Sequence, residues 1–95
     1  MAGGWLYIMP NGPNGTLYAG VTTDLKRRVH EHRTGDAGGF TKRYRLTQLV
    51  YAEAHDTIQS AIQRETSITR WPRAWKLRTI HALNPDWRDL YDDLA

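Results

Sequence analysis

Two tyrosines, an arginine and a glutamate carry the chemistry open to this chain. Tyr7 lies in Trp5-Leu6-Tyr7-Ile8-Met9 and Tyr18 in Leu17-Tyr18-Ala19-Gly20-Val21, both short apolar runs of strand character. Between them, Asn11-Gly12-Pro13-Asn14-Gly15 is dense in turn-formers, which is a β-hairpin signal. The midpoint between the tyrosines falls inside that turn. A symmetric hairpin would therefore make the two rings cross-strand neighbours on one face. Arg28 follows on the first helix. Phenols beside a guanidinium suit a phosphate ester better than a hydrophobic core.

The elements that must position these groups are legible in outline. Strands are expected at about 5–9 and 16–21. Thr22-Thr23-Asp24 supplies an N-cap for a helix from Leu25 to about Arg33, with Leu25 and Val29 facing the core. Arg28 and His32, four apart, share a neighbouring stripe of that helix. The glycine-rich stretch from Thr34 to Gly39 is a loop, and Phe40-Thr41-Lys42-Arg43-Tyr44 a polar and aromatic connector. Leu46 to Ala54 reads as a third strand. Asp56 then looks like a helix cap, with Gln59 as a loose capping box, ahead of a helix from Thr57 to about Arg70.

That helix carries Ile58, Ala61, Ile62 and Ile68 as its apolar positions, and Glu65 falls within their stripe. A carboxylate on an inward face needs a cation or a wet cleft, because an unpaired buried charge costs several kcal/mol or more, on the order of the known penalties. An arginine partner, Arg70 or one from the first helix, would meet that need without any chemistry. Pro72 fits the first turn of a further helix ending near Leu83, and Asn84-Pro85 gives the cap signature of a last short one. Trp71, Trp75 and Trp87 fall on helical stripes and are expected in the core. The order is ββαβααα, an α+β fold with a small sheet and helices packed against it.

Composition sets wide limits. The 95 residues make one domain, 1–95, near the size at which a single core suffices. There is no cysteine, which removes disulfides, thiolate metal sites and thiol nucleophiles. Met1-Ala2-Gly3-Gly4 lacks a basic flank and the apolar run after it is short, so neither a signal peptide nor a membrane span is expected. A cytoplasmic protein fits these features. The net charge of +3 leans toward an anionic partner. The basic residues gather in two stretches, Lys26 to Arg45 and Arg64 to Arg78, while Asp86, Asp89, Asp92 and Asp93 make an acidic end. Lys26, Arg27, Lys42, Arg43, Arg70 and Lys76 are the candidates for contact with a nucleic-acid backbone. Solvated helix faces would look the same.

Taken in order, Leu6-Tyr7, Tyr18-Ala19-Gly20-Val21-Thr22, Asp24-Leu25-Lys26-Arg27-Arg28-Val29 with His32, Arg64-Glu65 with Ile68, and Asn84-Pro85-Asp86-Trp87-Arg88-Asp89-Leu90-Tyr91 resemble the GIY-YIG nuclease superfamily. The run Trp71, Arg73-Ala74-Trp75-Lys76-Leu77 is similar to its small stand-alone bacterial members. The resemblance covers roughly residues 5 to 91. It implies a three-stranded antiparallel sheet flanked by helices, and a DNA endonuclease using one divalent ion, Mg²⁺ or Mn²⁺. It further implies Tyr7, Tyr18, Arg28, His32 and Glu65 as catalytic residues, with Glu65 as the metal ligand. Arg28 is preferred to Arg27 because it precedes an apolar residue and stands four before His32.

On that resemblance Glu65 holds the ion and Arg28 stabilises charge on the phosphate. A tyrosine deprotonates the attacking water, and either tyrosine fits. An unperturbed phenol titrates near pH 10, so that role needs a cation beside it. His32 would relay a proton or bind phosphate. His30, His55 and His81 have no motif support and read as surface or satisfied residues. Asn84 reads as structural. The chain departs from the pattern at Trp5, Leu6 and Ala19, which keep strand character, and at Val21, where several active relatives carry lysine. Thr22, Lys26 or Lys42 would have to substitute, or the domain binds nucleic acid without cutting. No base-reading module is recognised, so a branched, nicked or single-stranded DNA fits best.

Overall fold

The computed structural model describes residues 3–12, 15–35 and 46–94. Strands β1 (Gly4–Pro10), β2 (Leu17–Thr22) and β3 (Tyr51–His55) form one antiparallel sheet with β1 in the middle. The helices are α1 (Leu25–Thr34), α2 (Ile58–Arg70) and α3 (Arg73–Leu83), followed by a short 3₁₀ helix (Leu90–Asp93). This is the α+β arrangement expected from the sequence.

The central strand explains the two-sided core. Successive residues of β1 point to opposite faces, yet Leu6, Tyr7, Ile8 and Met9 are all buried. Leu6 and Ile8 pack with Val50, Tyr51, Ile68 and Ile80 on the α2–α3 side. Tyr7 and Met9 pack with Leu25, Val29, Leu46 and Leu49 on the α1 side. A strand covered on both faces needs an unbroken apolar run. Leu6-Tyr7-Ile8-Met9 supplies one.

The helix ends are set locally. The Asp24 carboxylate accepts from the Arg27 amide at 3.3 Å and caps α1, as expected. Gly35, at φ 83°, closes that helix in the left-handed conformation that glycine adopts without penalty. Thr57, not Asp56, caps α2, because its hydroxyl accepts from the Ser60 amide at 3.1 Å. That places Ser60, rather than Gln59, at the third helical position.

Four other expectations need correction. The third strand begins at Tyr51, not Leu46. Leu46, Leu49 and Val50 are buried, but the backbone of Leu49 is committed elsewhere. Its amide donates to Asp89 Oδ1 at 3.1 Å and its carbonyl accepts from the Leu90 amide at 2.8 Å. Second, Asn84 does not open the last helix; it ends α3, and the 3₁₀ helix is capped by Asp89. The Asn84 side chain is buried and bridges the carbonyls of Val50 and Arg88 and the amide of Arg88. It is structural, as a bracket rather than a cap.

Third, Ile62 is 49% exposed. It stands about 100° round the helix from Ala61, outside the stripe that Ala61 and Ile68 bury. Fourth, Trp75 is 48% exposed, whereas Trp71 and Trp87 pack against the core. Trp75 lies about 140° round α3 from the fully buried Ile80. Phe40, Lys42, Arg43 and Tyr44 lie outside the described residues.

Candidate active site

The hairpin register sets how the two phenols meet. Tyr7 pairs with Gly20 and Tyr18 with Met9, so the tyrosines are diagonal rather than directly opposed. They still share a face. Their ring centroids are 6.3 Å apart. The symmetric pairing expected from the turn midpoint is displaced by two residues, which preserves side-chain direction because the strand period is two. Gly20 has a clear purpose here. A Cβ at that position would collide with the hydroxyl and ring of Tyr7, which lies over it.

Helix α1 brings the next two groups. His32 is 1% exposed, and its Nε2 is 2.8 Å from the Tyr7 hydroxyl. Its ring packs 5.6 Å from that of Tyr7 and 5.4 Å from that of Tyr18. Burial and then the positive charge of Arg28 push His32 down to about 4, against a smaller opposing effect of Glu31, so its imidazole is neutral near pH 7. In either tautomer Nδ1 has no partner among the described residues.

Arg28, one turn earlier, lies against Tyr7. The Tyr7 hydroxyl holds the guanidinium above its ordinary pKa, and burial only partly opposes this. Tyr7 in turn is pushed up to about 12, by burial first, with Arg28 pulling the other way. Arg28 also donates to Glu31 Oε1 at 3.3 Å. Tyr7, Tyr18, Arg28 and His32 thus come together between the hairpin and α1.

Glu65 approaches from the opposite side. It is half-buried on α2, and Oε1 accepts from Thr69 Oγ1 at 3.0 Å. No ion pair engages it among the described residues, so neither Arg70 nor an α1 arginine neutralises it there. Its side chain lines a cleft of about 200 Å³ with Tyr18, Lys76, Thr69 and the apolar floor Ile8, Leu17, Ala19 and Ile68. Tyr18 is therefore common to both groups: it packs with Tyr7 and His32, and it is among the residues that line the cleft.

The cleft's chemistry fits a hard, hydrated cation. Mg²⁺ keeps several of its waters and takes only one or two carboxylates. Glu65 offers such an ion one half-buried carboxylate, above the apolar floor of the cleft. No group of three or more His, Cys, Asp or Glu that could hold a metal exists among the described residues, so a closed all-protein cage is absent there.

The other expected contact residues are dispersed. Lys26 and Arg27 are exposed on α1, where Arg27 pairs with Glu31 at 3.6 Å. Arg70 is exposed at the end of α2, while Lys76 reaches the cleft. Lys42 and Arg43 lie outside the described residues. Two things were not read from the sequence. One is Thr69, signalled only by its four-residue spacing from Glu65. The other is that Lys76 lines the same cleft as Glu65 and Tyr18, which depends on how α3 turns back after Pro72.

Comparison with known proteins identifies the family. Residues 3–78 match the family described as the GIY-YIG catalytic domain. The chain is 39% identical over 76 residues to a UPF0213 protein of Staphylococcus saprophyticus, covering 80% of this chain and 92% of the relative. It is equally identical over 76 residues to one from Streptococcus agalactiae, covering 80% and 85%. A UPF0213 protein of Staphylococcus aureus is 39% identical over 67 residues, covering 70% and 82%. No solved structure matches. With a family match over residues 3–78 and relatives at 39% identity that cover most of both chains, this chain belongs to the GIY-YIG family, as a small bacterial-type member with a nuclease-type catalytic domain.

Proposed function

We propose that this protein is a divalent-metal-dependent endonuclease that hydrolyses phosphodiester bonds of DNA with low sequence specificity, working as one domain in the cytoplasm where that substrate lies. The observation that carries this reading is the shared position of Tyr18, between the Tyr7–Arg28–His32 group and the cleft of Glu65 and Lys76.

Glu65 would hold the ion, with Thr69 orienting its carboxylate. When bound, the cation supplies Lewis-acid charge to the phosphate and the departing oxygen. Tyr18 is the better base of the two phenols. It lines the cleft, whereas Tyr7 is 1% exposed and hydrogen-bonded to His32. Having lost its own proton to solvent, Tyr18 as the phenolate would accept the proton of the attacking water, with positive charge from Arg28 and the cleft-lining Lys76 favouring that form. Arg28 also neutralises charge that builds on the phosphate. Tyr7 and His32 act as positioning residues, packing Tyr18 from within.

Incubation with plasmid and branched DNA tests this. Cleavage should require Mg²⁺ or Mn²⁺, stop with chelator, and be lost in Glu65→Ala and Arg28→Ala. Full activity in either variant would overturn the assignment. Val21, an apolar side chain paired with Leu6, motivates a second reading, a module that binds nucleic acid without cutting. It expects salt-sensitive binding and no product.

A further inference from the structure

Trp75 lies outside the chemistry described so far. Its indole is 48% exposed on α3, next in sequence to Lys76, which lines the cleft. Leaving so large an apolar ring in water forgoes stabilisation that a small domain could use. The ring is nonetheless held. It meets Trp71 edge-on at 6.0 Å, with the planes at 69°. Trp71 lies 4.9 Å beneath the Arg64 guanidinium. Arg64 Nε donates to Glu53 at 3.2 Å, and Glu53 also accepts from the Tyr51 hydroxyl at 2.7 Å and pairs with His55 at 2.6 Å.

A chain of fixed contacts thus runs from the edge strand β3 to an exposed aromatic one residue before the cleft-lining Lys76. Arg70, Arg73 and Arg78, all exposed, lie on the same two helices. Arg78 stands about 60° round α3 from Trp75, and an exposed ring held in place near a cation is an arrangement on which unpaired nucleobases stack, since every base offers a π face and the backbone is anionic. Bases inside a duplex already have both faces covered.

We propose that Trp75 is the stacking platform for an unpaired base of the strand cut at the Tyr18–Glu65 cleft, so that the enzyme selects DNA with an unpaired nucleotide beside the scissile phosphate. This rests on the nuclease reading above and adds its substrate class. The cations hold the backbone of any DNA, and Trp75 separates an unpaired strand from a closed duplex.

The test uses the full chain with Ca²⁺ in place of Mg²⁺. Binding is measured to a single-stranded oligonucleotide, a gapped duplex and a matched duplex of one sequence. Trp75→Ala should bind the first two about tenfold or more weakly while leaving the matched duplex unchanged, and Trp75→Phe should retain most of the preference. An abasic nucleotide walked along the strand should reproduce the loss at one position with wild type and do nothing further with Trp75→Ala. Equal losses on all three DNAs, or none, would overturn the proposal. So would sedimentation showing that wild type self-associates and Trp75→Ala does not, which would make the ring a protein contact. Wild type that binds DNA without preference refutes only the role of Trp75. Wild type that binds none of the three refutes the nuclease reading as well.

Discussion

Tyr7 and Gly20 are directly opposed across β1 and β2, and the tyrosine ring occupies the space a side chain at position 20 would need. Gly20→Ala sets two effects against each other. Loss of backbone freedom in the unfolded chain favours alanine by roughly 0.4–1 kcal/mol. Overpacking against a fully buried ring costs about 1–3 kcal/mol. The clash should win, giving a net loss of about 1–2 kcal/mol in urea unfolding. In a Tyr7→Leu background the same substitution should cost much less. Equal costs in both backgrounds would show that the ring does not occupy that space.

His32 makes stability depend on pH. Its folded pKa of about 4 lies below the ordinary 6.5, so between those values the unfolded chain binds the extra proton. The contribution is complete above pH 6.5 and falls as pH drops toward 4, by up to about 1.4 kcal/mol per pH unit. Denaturant melts at intervals across that window should show the slope in wild type. In His32→Gln it should be markedly shallower. An unchanged slope would mean that His32 is not buried neutral.

Glu53 should be a structural keystone at the β3 edge. Burial opposes its ionisation, but the hydrogen bonds from Tyr51 and His55 and the charge of Arg64 outweigh it and hold the carboxyl below its usual range. Its stabilising contribution is therefore present above the unfolded value of 4.5 and lost as pH falls through the lowered folded one. Glu53→Ala should destabilise by about 2–3 kcal/mol at pH 7, because Arg64 and the Tyr51 hydroxyl lose their partner. It should also loosen Trp71, visible as altered near-ultraviolet circular dichroism.

Lys76 should matter to the rate rather than to folding. It lines the cleft beside Tyr18 and Glu65 and no ion pair engages it among the described residues. Lys76→Ala should lower kcat at least tenfold, about 1.4 kcal/mol of transition-state stabilisation, with an unchanged melting temperature. Lys76→Arg should recover part of the loss. A fall in stability matching the fall in rate would point to a packing role instead.

The sequence disclosed the parts of the site that depend on local rules. The hairpin, the Asp24 cap and the four-residue spacing of Arg28 and His32 are short-range features, and Glu65 stood out because a carboxylate fell among apolar helix positions. What remained hidden depends on long-range contacts. The exposure of Ile62 and Trp75 is set by how far each helix rotates against the sheet, and several rotations suit the same loose pattern. The late start of β3 reflects the claim of Asp89 and Leu90 on the backbone of Leu49, some forty residues away in sequence. The presence of Lys76 in the cleft of Glu65 depends on the turn at Pro72.

The reading turns on whether Glu65 binds a divalent ion beside Tyr18. Paramagnetic Mn²⁺ titrated into isotopically labelled protein measures this directly, because bound Mn²⁺ broadens nearby amide resonances. Glu65, Thr69 and residues 17–19 should broaden first, and this selective effect should vanish in Glu65→Gln. Broadening confined to the acidic stretch Asp89–Asp93, or an identical pattern in Glu65→Gln, would contradict it.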